Sequence, residues 1–540
     1  MPAPTVNAKS TTRFLEYPSI KQLDILARQP IDFTIPSNFT PTRLEHFVAE
    51  ACGYRFLYGT ERVSDDVMKA LVGLAEEAQV LGKMQRMQDG AVLNLIHGFP
   101  SENRSVLHTA TRDFFDDQNQ GQEAISAAKQ AKQEVDKLKA FITKIDKENK
   151  FTDLVSIGIG GSDLGPRAHY IALEHLLKKG RRVHFISNVD PDDAAMVLKG
   201  LDLKKTVVVV VSKTGSTLET RANEEFVRAY FAKAGIDSQQ HFISVTSQGS
   251  PMDDRSRYLE SFYIWDWIGG RYSTTSMVGG VMLSFAFGFD VYWDLLKGAN
   301  GMDKVALKGS IKENLPLLGA LLSVWNRNFL HYPTLALIPY SQALSRYSAH
   351  IQQVEMESNG KHVDQEGRFV NFNTGPIIWG EPGTNAQHSF YQLIHQGTDI
   401  IPLEFIGFKK SQCGEDHIFE GTSLQQKLLA NLFAQAIALA TGQKSDNPNR
   451  EFSGNRPSHI ILGSQLTPYA LGALLGYFEN KVAFEGFIWG VNSFDQEGVQ
   501  LGKVLANKLI DRLANPQKGE SYPLGDALIK QLGMLKNVSN

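Results

Sequence analysis

Cysteine is nearly absent from the 540 residues; only Cys52 and Cys413 occur. Two distant cysteines make no disulfide framework and no metal-spaced pair, which points to a reducing compartment. No Cys/His cluster with metal-ligand spacing stands anywhere, so no metal is expected. An excess of charge is also missing. Lys and Arg number 55 against 58 Asp and Glu, a formal net charge of −3. That gives no electrostatic case for nucleic acid or an anionic membrane as partner. No apolar run is long enough to span a bilayer. The most apolar stretch, Met277 to Phe289, stops at Asp290 and carries Gly279, Gly280 and Gly288, which predicts a buried helix. The opening MPAPTVNAKSTTRF lacks the apolar core of a secretion signal. The expected location is cytoplasmic. Low-complexity tracts and short repeats are missing too.

What is present is an ordinary globular composition, 42% hydrophobic and 21% charged. The chain is long for one core, so two or more domains are expected. Its most telling stretch is KTVVVVVSKTGSTLET, Lys205 to Thr220. Five consecutive valines, Val207 to Val211, are β-branched and apolar on both faces, as in a strand buried inside a parallel sheet. The polar residues Ser212, Lys213, Thr214, Gly215, Ser216 and Thr217 then follow at the strand's carboxyl end, where open α/β sheets bind ligands. Hydroxyls, free N–H groups and a lysine suit a phosphate, and the next helix aims its positive end at it. The same cluster is also ordinary turn chemistry, and these residues alone leave both readings open.

Around this stretch, strands and helices alternate. Strands are predicted over Asp153 to Gly160, Arg182 to Ser187 and Gln240 to Thr246. A second series follows Trp293, with strands over Thr334 to Pro339, Pro376 to Trp379, Ile400 to Ile406 and Ser458 to Leu462. Helices are predicted over Gln122 to Lys147, Ser341 to Ser358, Gln387 to Gln396, Ser423 to Thr441 and Asp495 to Leu513, and Ser445 to Pro457 reads as a loop. Such alternation implies doubly wound, mainly parallel sheets covered by helices. The part before about Gln118 reads mostly as helices and loops, including one helical pattern from Ser64 to Met87.

Several motifs carry chemistry. GIGGSDLGP, Gly158 to Pro166, follows a strand. It is not the dinucleotide fingerprint, because the sixth position is Asp163, and no Gly-Lys-Ser/Thr makes it a P-loop. Gly161 and Ser162 suit a small anion, or the segment is a plain tight turn. The Lys-Thr-Gly triplet in SKTGST lacks the partner motifs of penicillin-recognising enzymes and is set aside. In DWIGGRYSTTSMVGG, Gly269 and Gly270 free the backbone just before Arg271, which can then meet an anion or a developing oxyanion. A salt-bridged arginine in a turn is the other reading. In EMESNGK, Gln353 and Glu357 are four apart on one helix face. Asn359-Gly360 is a stop signal, and an exposed charged helix end is the plainer alternative. His388 and His395 are seven apart, too far to share a metal on one helix. His388, near the helix start, is the better acid–base candidate. Gln496 and Lys503 fall at helical spacing in NSFDQEGVQLGK, where a lysine also commonly snorkels. Arg104, His108 and Arg112 are weaker candidates.

Together, SIGIGGSDLGP, SKTGSTLET, DWIGGRYS, MESNGK, GTNAQHSFYQLIHQGT, GNRPS and FDQEGVQLGK, in this order, resemble the glucose-6-phosphate isomerase family from about Asn103 to about Leu509. The resemblance implies an α/β fold of two sugar-isomerase-type three-layer αβα domains. It assigns 1–118 to a mostly helical segment packing on the second domain, 119–286 to the first domain, 287–512 to the second and 513–540 to a C-terminal arm. It implies cofactor-free interconversion of glucose 6-phosphate and fructose 6-phosphate, in glycolysis and gluconeogenesis, by a homodimer with shared active sites. Carried over residue by residue, Glu357 is similar to the base between C2 and C1, and Arg271 to the group that steadies the enediolate. His388 is similar to the ring-opening residue supplied by the neighbouring subunit, and Lys503 to its partner. Gly161, Ser162, Ser212, Lys213, Thr214 and Thr217 resemble the phosphate grip, and Gln353 and Gln496 resemble substrate contacts. Gly215, Ser216, Thr274 and Thr275 depart from the residues common in the family. A non-catalytic sugar-phosphate-binding regulator is the alternative, but it would lack Glu357 or Arg271. An amino-sugar phosphate isomerase fused to an amide-hydrolysing domain would want an N-terminal cysteine, and the first here is Cys52.

Overall fold

The valine strand sits at the middle of a five-stranded parallel sheet. In space the order is Arg182–Ile186, Asp153–Ile157, Thr206–Val211, Phe242–Thr246 and Glu260–Tyr263. This is a computed structural model, and it describes residues 13–515 and 522–533. All six residues of Thr206–Val211 are buried, as a strand flanked on both sides and covered on both faces must be. Val155, Val208, Val210 and Phe242 pack there with Val227 and Phe231 of the helix Leu218–Lys233. Numbered along the chain, the spatial order is 2-1-3-4-5. The switch point therefore lies between the strands that end at Ile157 and Val211, and ligands bind beyond such a point in open α/β sheets.

The second sheet has six strands. Ile377–Trp379, Thr334–Pro339, Leu403–Phe408 and Ser458–Gly463 run parallel. The hairpin Val48–Ala51 and Tyr54–Leu57 then extends this sheet antiparallel beside Ser458–Gly463. The part before Gln118 is thus not only helices and loops. Four-residue strands alternate too briefly to be told from loop by pattern. The core of this half gathers Ile338, Phe405, Leu432, Leu439 and Ile460. The strand predicted from Ile400 begins at Leu403, because Pro402 has no N–H for the ladder.

Other boundaries moved for local reasons. The predicted helix Ser64 to Met87 is two helices, Asp65–Glu77 and Val80–Asp89, parted at Gln79 in the left-handed region, φ 54°. Apolar spacing persists across such a break, so the pattern hides it. The apolar stretch forms the helix Met277–Phe287, buried at every residue. Among the described residues, no helix is long and apolar enough to cross a membrane.

The chain divides into two compact units, 1–493 and 494–540. The first holds both sheets. Within the second, Gln500–Ala514 and Pro523–Lys530 are helices, joined by an ion pair of Arg512 Nε with Asp526 Oδ1 at 2.8 Å.

Candidate active site

Both glycine- and hydroxyl-rich loops leave the strands that flank the switch point. After Ile157, Gly160 takes φ +59°, and Gly161 lies so close to the next loop that a Cβ there would stand 2.2 Å from the carbonyl of Gly270 and 2.8 Å from the nitrogen of Arg271. Only glycine permits that approach. After Val211, the Ser212 and Thr217 hydroxyls lie 3.0 Å apart. Thr217 precedes the helix Leu218–Lys233 without capping it. The N–H groups of the first turn therefore lack a side-chain acceptor and suit an anion. Ser216 Oγ donates to Thr214 Oγ1 at 2.8 Å. Gly215 has φ +66°, and a Cβ on it would meet Met252 N at 3.1 Å, so in this chain the turn itself requires glycine.

Lys213 ties the second loop to the third. Its Nζ donates to the Ile268 carbonyl at 3.0 Å. Burial, and then the charge of Arg104, lower its pKa from the ordinary lysine value. Arg104 bonds through Nε to Glu102 Oε2 at 2.7 Å and through Nη1 to the Asp266 carbonyl at 3.2 Å.

Arg271 follows from Ile268-Gly269-Gly270 and is 2% exposed. Its Nε donates to Ser358 Oγ at 2.6 Å, and its Nη2 to the Ser493 carbonyl at 2.5 Å. Nη1 stands 3.6 Å from Glu357 Oε2. Gln353 Nε2 donates to the same oxygen at 3.0 Å. Both contacts fall on Oε2. Gln353 also approaches Gly160, whose added Cβ would lie 3.4 Å from its Nε2.

The predicted helix Ser341 to Ser358 is not one continuous helix. It becomes a short turn Gln342–Leu344, the helix Tyr347–Gln352 and a wide π turn, Gln353–Glu357. Such π turns gather at functional sites because they redirect side chains. Gln353 and Glu357 still meet, as their spacing predicts. The exposed-end reading of EMESNGK fails, because Glu355, Ser358 and Asn359 are buried. Sequence reasoning passed over Ser358 and Ser493, although they stand in EMESNGK and NSFDQEGVQLGK. Nothing in the pattern says which serine hydroxyl or carbonyl will face a buried guanidinium.

His388 lies on the turn Asn385–His388, exposed, and not on a helix continuous with His395, since Tyr391–Gln396 is separate. Among the described residues no hydrogen bond or ion pair joins it to Arg271 or Glu357. His395 bonds to Gln435 Oε1 at 2.7 Å. Gln496 and Lys503 belong to the second unit. Gln496 precedes the turn Glu497–Val499, whereas Lys503 lies exposed on Gln500–Ala514. They therefore do not share one helical face.

Two of the weaker candidates, His108 and Arg112, act in the core. Arg112 is wholly buried, paired with Asp303 at 2.7 Å and Glu479 at 2.6 Å. Thr275 Oγ1 lies 2.8 Å from Thr111 Oγ1 and accepts from Arg112 Nη1 at 3.3 Å. The threonine here thus serves a polar core. His108 stacks on Tyr272 with ring centroids 4.6 Å apart. Burial, then Arg112 and Arg271, push its pKa well below the usual value. Among the described residues, no group of three or more His, Cys, Asp or Glu is arranged to hold a metal.

Two mainly parallel sheets, a hydroxyl-lined loop at a switch point and a carboxylate facing a buried guanidinium define an α/β protein equipped for acid–base chemistry on an anionic small molecule. The family model for phosphoglucose isomerase matches residues 57–528. The chain is 62% identical over 527 residues to the glucose-6-phosphate isomerase of Protochlamydia amoebophila, covering 97% of this chain and 98% of that one. It is 55% identical over 501 residues to that of Chlamydia pneumoniae, covering 93% and 95%. The crystal structure of a glucose-6-phosphate isomerase from Chlamydia trachomatis superposes with a TM-score of 0.93 at 49% identity, covering 97% of this chain and 100% of that one. The chain belongs to the phosphoglucose isomerase family.

Proposed function

We propose that this chain is a glucose-6-phosphate isomerase, interconverting glucose 6-phosphate and fructose 6-phosphate through ring opening and an enediolate. The observation that carries the assignment of the site is the Arg271–Glu357 pair, 3.6 Å apart with Arg271 buried. The hydrogen on a carbon next to a carbonyl is weakly acidic. A carboxylate removes it at useful rates only if a cation steadies the oxyanion that forms. Glu357 takes the proton from C2 and returns it to C1. Arg271, held by Ser358 and Ser493, presents a preset charge to the enediolate oxygens. Ser162, Ser212, Lys213, Thr214 and Thr217 grip the phosphate, with Gly161 giving the backbone room, and fix the sugar's far end. Gln353 and Gln496 contact the substrate.

Ring opening falls to His388, supplied by the neighbouring subunit, with Lys503 at the ring oxygen. The exposure of His388 supports this reading, since a residue that serves another subunit must lie at the surface of its own. The protein then works as a cytoplasmic homodimer in glycolysis and gluconeogenesis. Its two sugar-isomerase domains fall at 119–286 and 287–512, between the N-terminal segment and a C-terminal arm.

The test is a coupled assay for conversion of fructose 6-phosphate to glucose 6-phosphate, run with and without a chelator. Turnover unaffected by the chelator is expected. No turnover rejects the enzyme in favour of a sugar-phosphate-binding regulator, and chelator sensitivity rejects the metal-free mechanism.

A further inference from the structure

Beneath the π turn lies a set of buried ionisable groups that the proton transfer does not use. Glu355 is 1% exposed, Glu404 and Glu485 are 0%, and Lys481 is 1%. Charges this deep persist only when paired. Lys481 Nζ stands 3.6 Å from Glu404 Oε2 and 3.5 Å from Glu485 Oε1. Glu404 in turn accepts from the Tyr477 hydroxyl at 2.9 Å and lies 3.5 Å from His459 Nε2. Glu355 and Glu485 both accept from one amide, that of Asn359, so two buried carboxyl groups share a donor. Burial, then the charge of Glu485, raise Glu355 well above the usual carboxyl range.

Asn359 joins this set to the active site. Its Nδ2 donates to Glu355 Oε1 at 3.0 Å, to the Val482 carbonyl at 3.0 Å and to Glu485 Oε2 at 3.3 Å. Its Oδ1 accepts from Ser493 Oγ at 2.7 Å. The Ser493 carbonyl holds Arg271 Nη2. One side chain therefore anchors the residues on either side of Glu357 and, through Ser493, the guanidinium opposite it. A π turn is irregular backbone that local propensity does not maintain, and hydrogen bonds from both flanks give it one position.

We propose that Asn359, seated on the Glu355–Glu485 carboxyl pair, is the positioning residue that fixes Glu357 relative to Arg271 for proton transfer. It touches neither substrate nor reacting atoms. The inference rests on the reading of Glu357 as the base.

The experiment separates two reactions of one substrate. Exchange of the C1/C2 proton with solvent needs Glu357. Interconversion of the anomers of fructose 6-phosphate needs only ring opening. Both are followed by NMR on the full-length enzyme. Asn359→Ala should lose about 10²-fold in proton exchange, the scale of a 1 Å misplacement, and keep anomer interconversion and KM within about threefold. Ser493→Ala removes one hydroxyl and serves if Asn359→Ala does not fold; about 10-fold is expected, with the same split. Glu355→Gln keeps an acceptor for Asn359 and should show near-normal exchange. Wild-type exchange in folded Asn359→Ala and Ser493→Ala overturns the proposal. So does an equal loss of both reactions, which marks a merely structural role. Persistent exchange in Glu357→Gln would instead overturn the assignment of the base, a separate failure.

Discussion

The loop after Val211 and the turn at Gln353–Glu357 hold their side chains in opposite ways. The loop is a product of regular structure. A buried strand ends, the backbone turns at Gly215, and hydroxyls stand beside a helix N-terminus at the switch point of the sheet. Its groups lie near solvent, and Thr214 and Ser216 are exposed. The turn is a product of irregular structure. It leaves the α-helix, buries Glu355 and Asn359, and brings Glu357 to Arg271, a residue far away in sequence. The difference teaches where each kind of energy is needed. Holding a phosphate asks for several modest donors on a rigid frame. Moving a proton asks for one carboxylate and one cation placed within a fraction of an ångström.

If this division is right, damage to the turn should appear in kcat and damage to the loop in KM. The largest effect should come from Glu357→Gln. It should bind fructose 6-phosphate normally, measured by calorimetry, and lose about 10⁴-fold in turnover. Near-normal exchange of the C1/C2 proton with solvent in that variant would break the comparison at its root. Arg271→Lys should follow. A point charge cannot keep the bonds to Ser358 and Ser493 while facing Glu357, so kcat should fall about 10²-fold with KM within about threefold. A rise in KM alone would move Arg271 to the binding side.

Lys213→Met should do the reverse, raising KM about 10-fold with little change in kcat, as one charge-assisted contact to phosphate is lost. The pH profile sharpens this. Burial and Arg104 lower the pKa of Lys213, so its charge is lost on the alkaline side earlier than for an ordinary lysine. The kcat/KM of the wild type should decline there, and Lys213→Met should lack that decline.

The smallest effect concerns stability. Burial opposes the charge on His459, but Glu404 and then Glu61 outweigh it and hold its pKa at about 9, against 6.5 for the free side chain. A group raised on folding contributes stability that is complete below about 6.5 and is lost as pH rises through about 9. The melting temperature should drop by a few degrees between pH 7 and 9.5, with kcat/KM for the substrate retained at the lower pH. His459→Gln should melt lower at pH 7 and lose that dependence.

The sequence by itself determined much of the regular part. Valine runs and alternating elements specify buried parallel strands because burial on both faces leaves no room for polar residues. The turn after Val211 and the Gln353–Glu357 contact were legible because each depends on neighbours close in the chain. Motifs placed Arg271 behind two glycines, although the reason for glycine at 161, contact with Gly270, was not visible. Contacts far apart in the chain settle instead that 48–57 joins the second sheet, that the helix before Asn359 widens, and that Ser358 and Ser493 hold Arg271 beside Glu357. Those outcomes rest on contacts between segments far apart in the chain, such as Asn359 with Val482, Glu485 and Ser493. Local spacing carries no record of them, because their energies exist only once the core has closed around them.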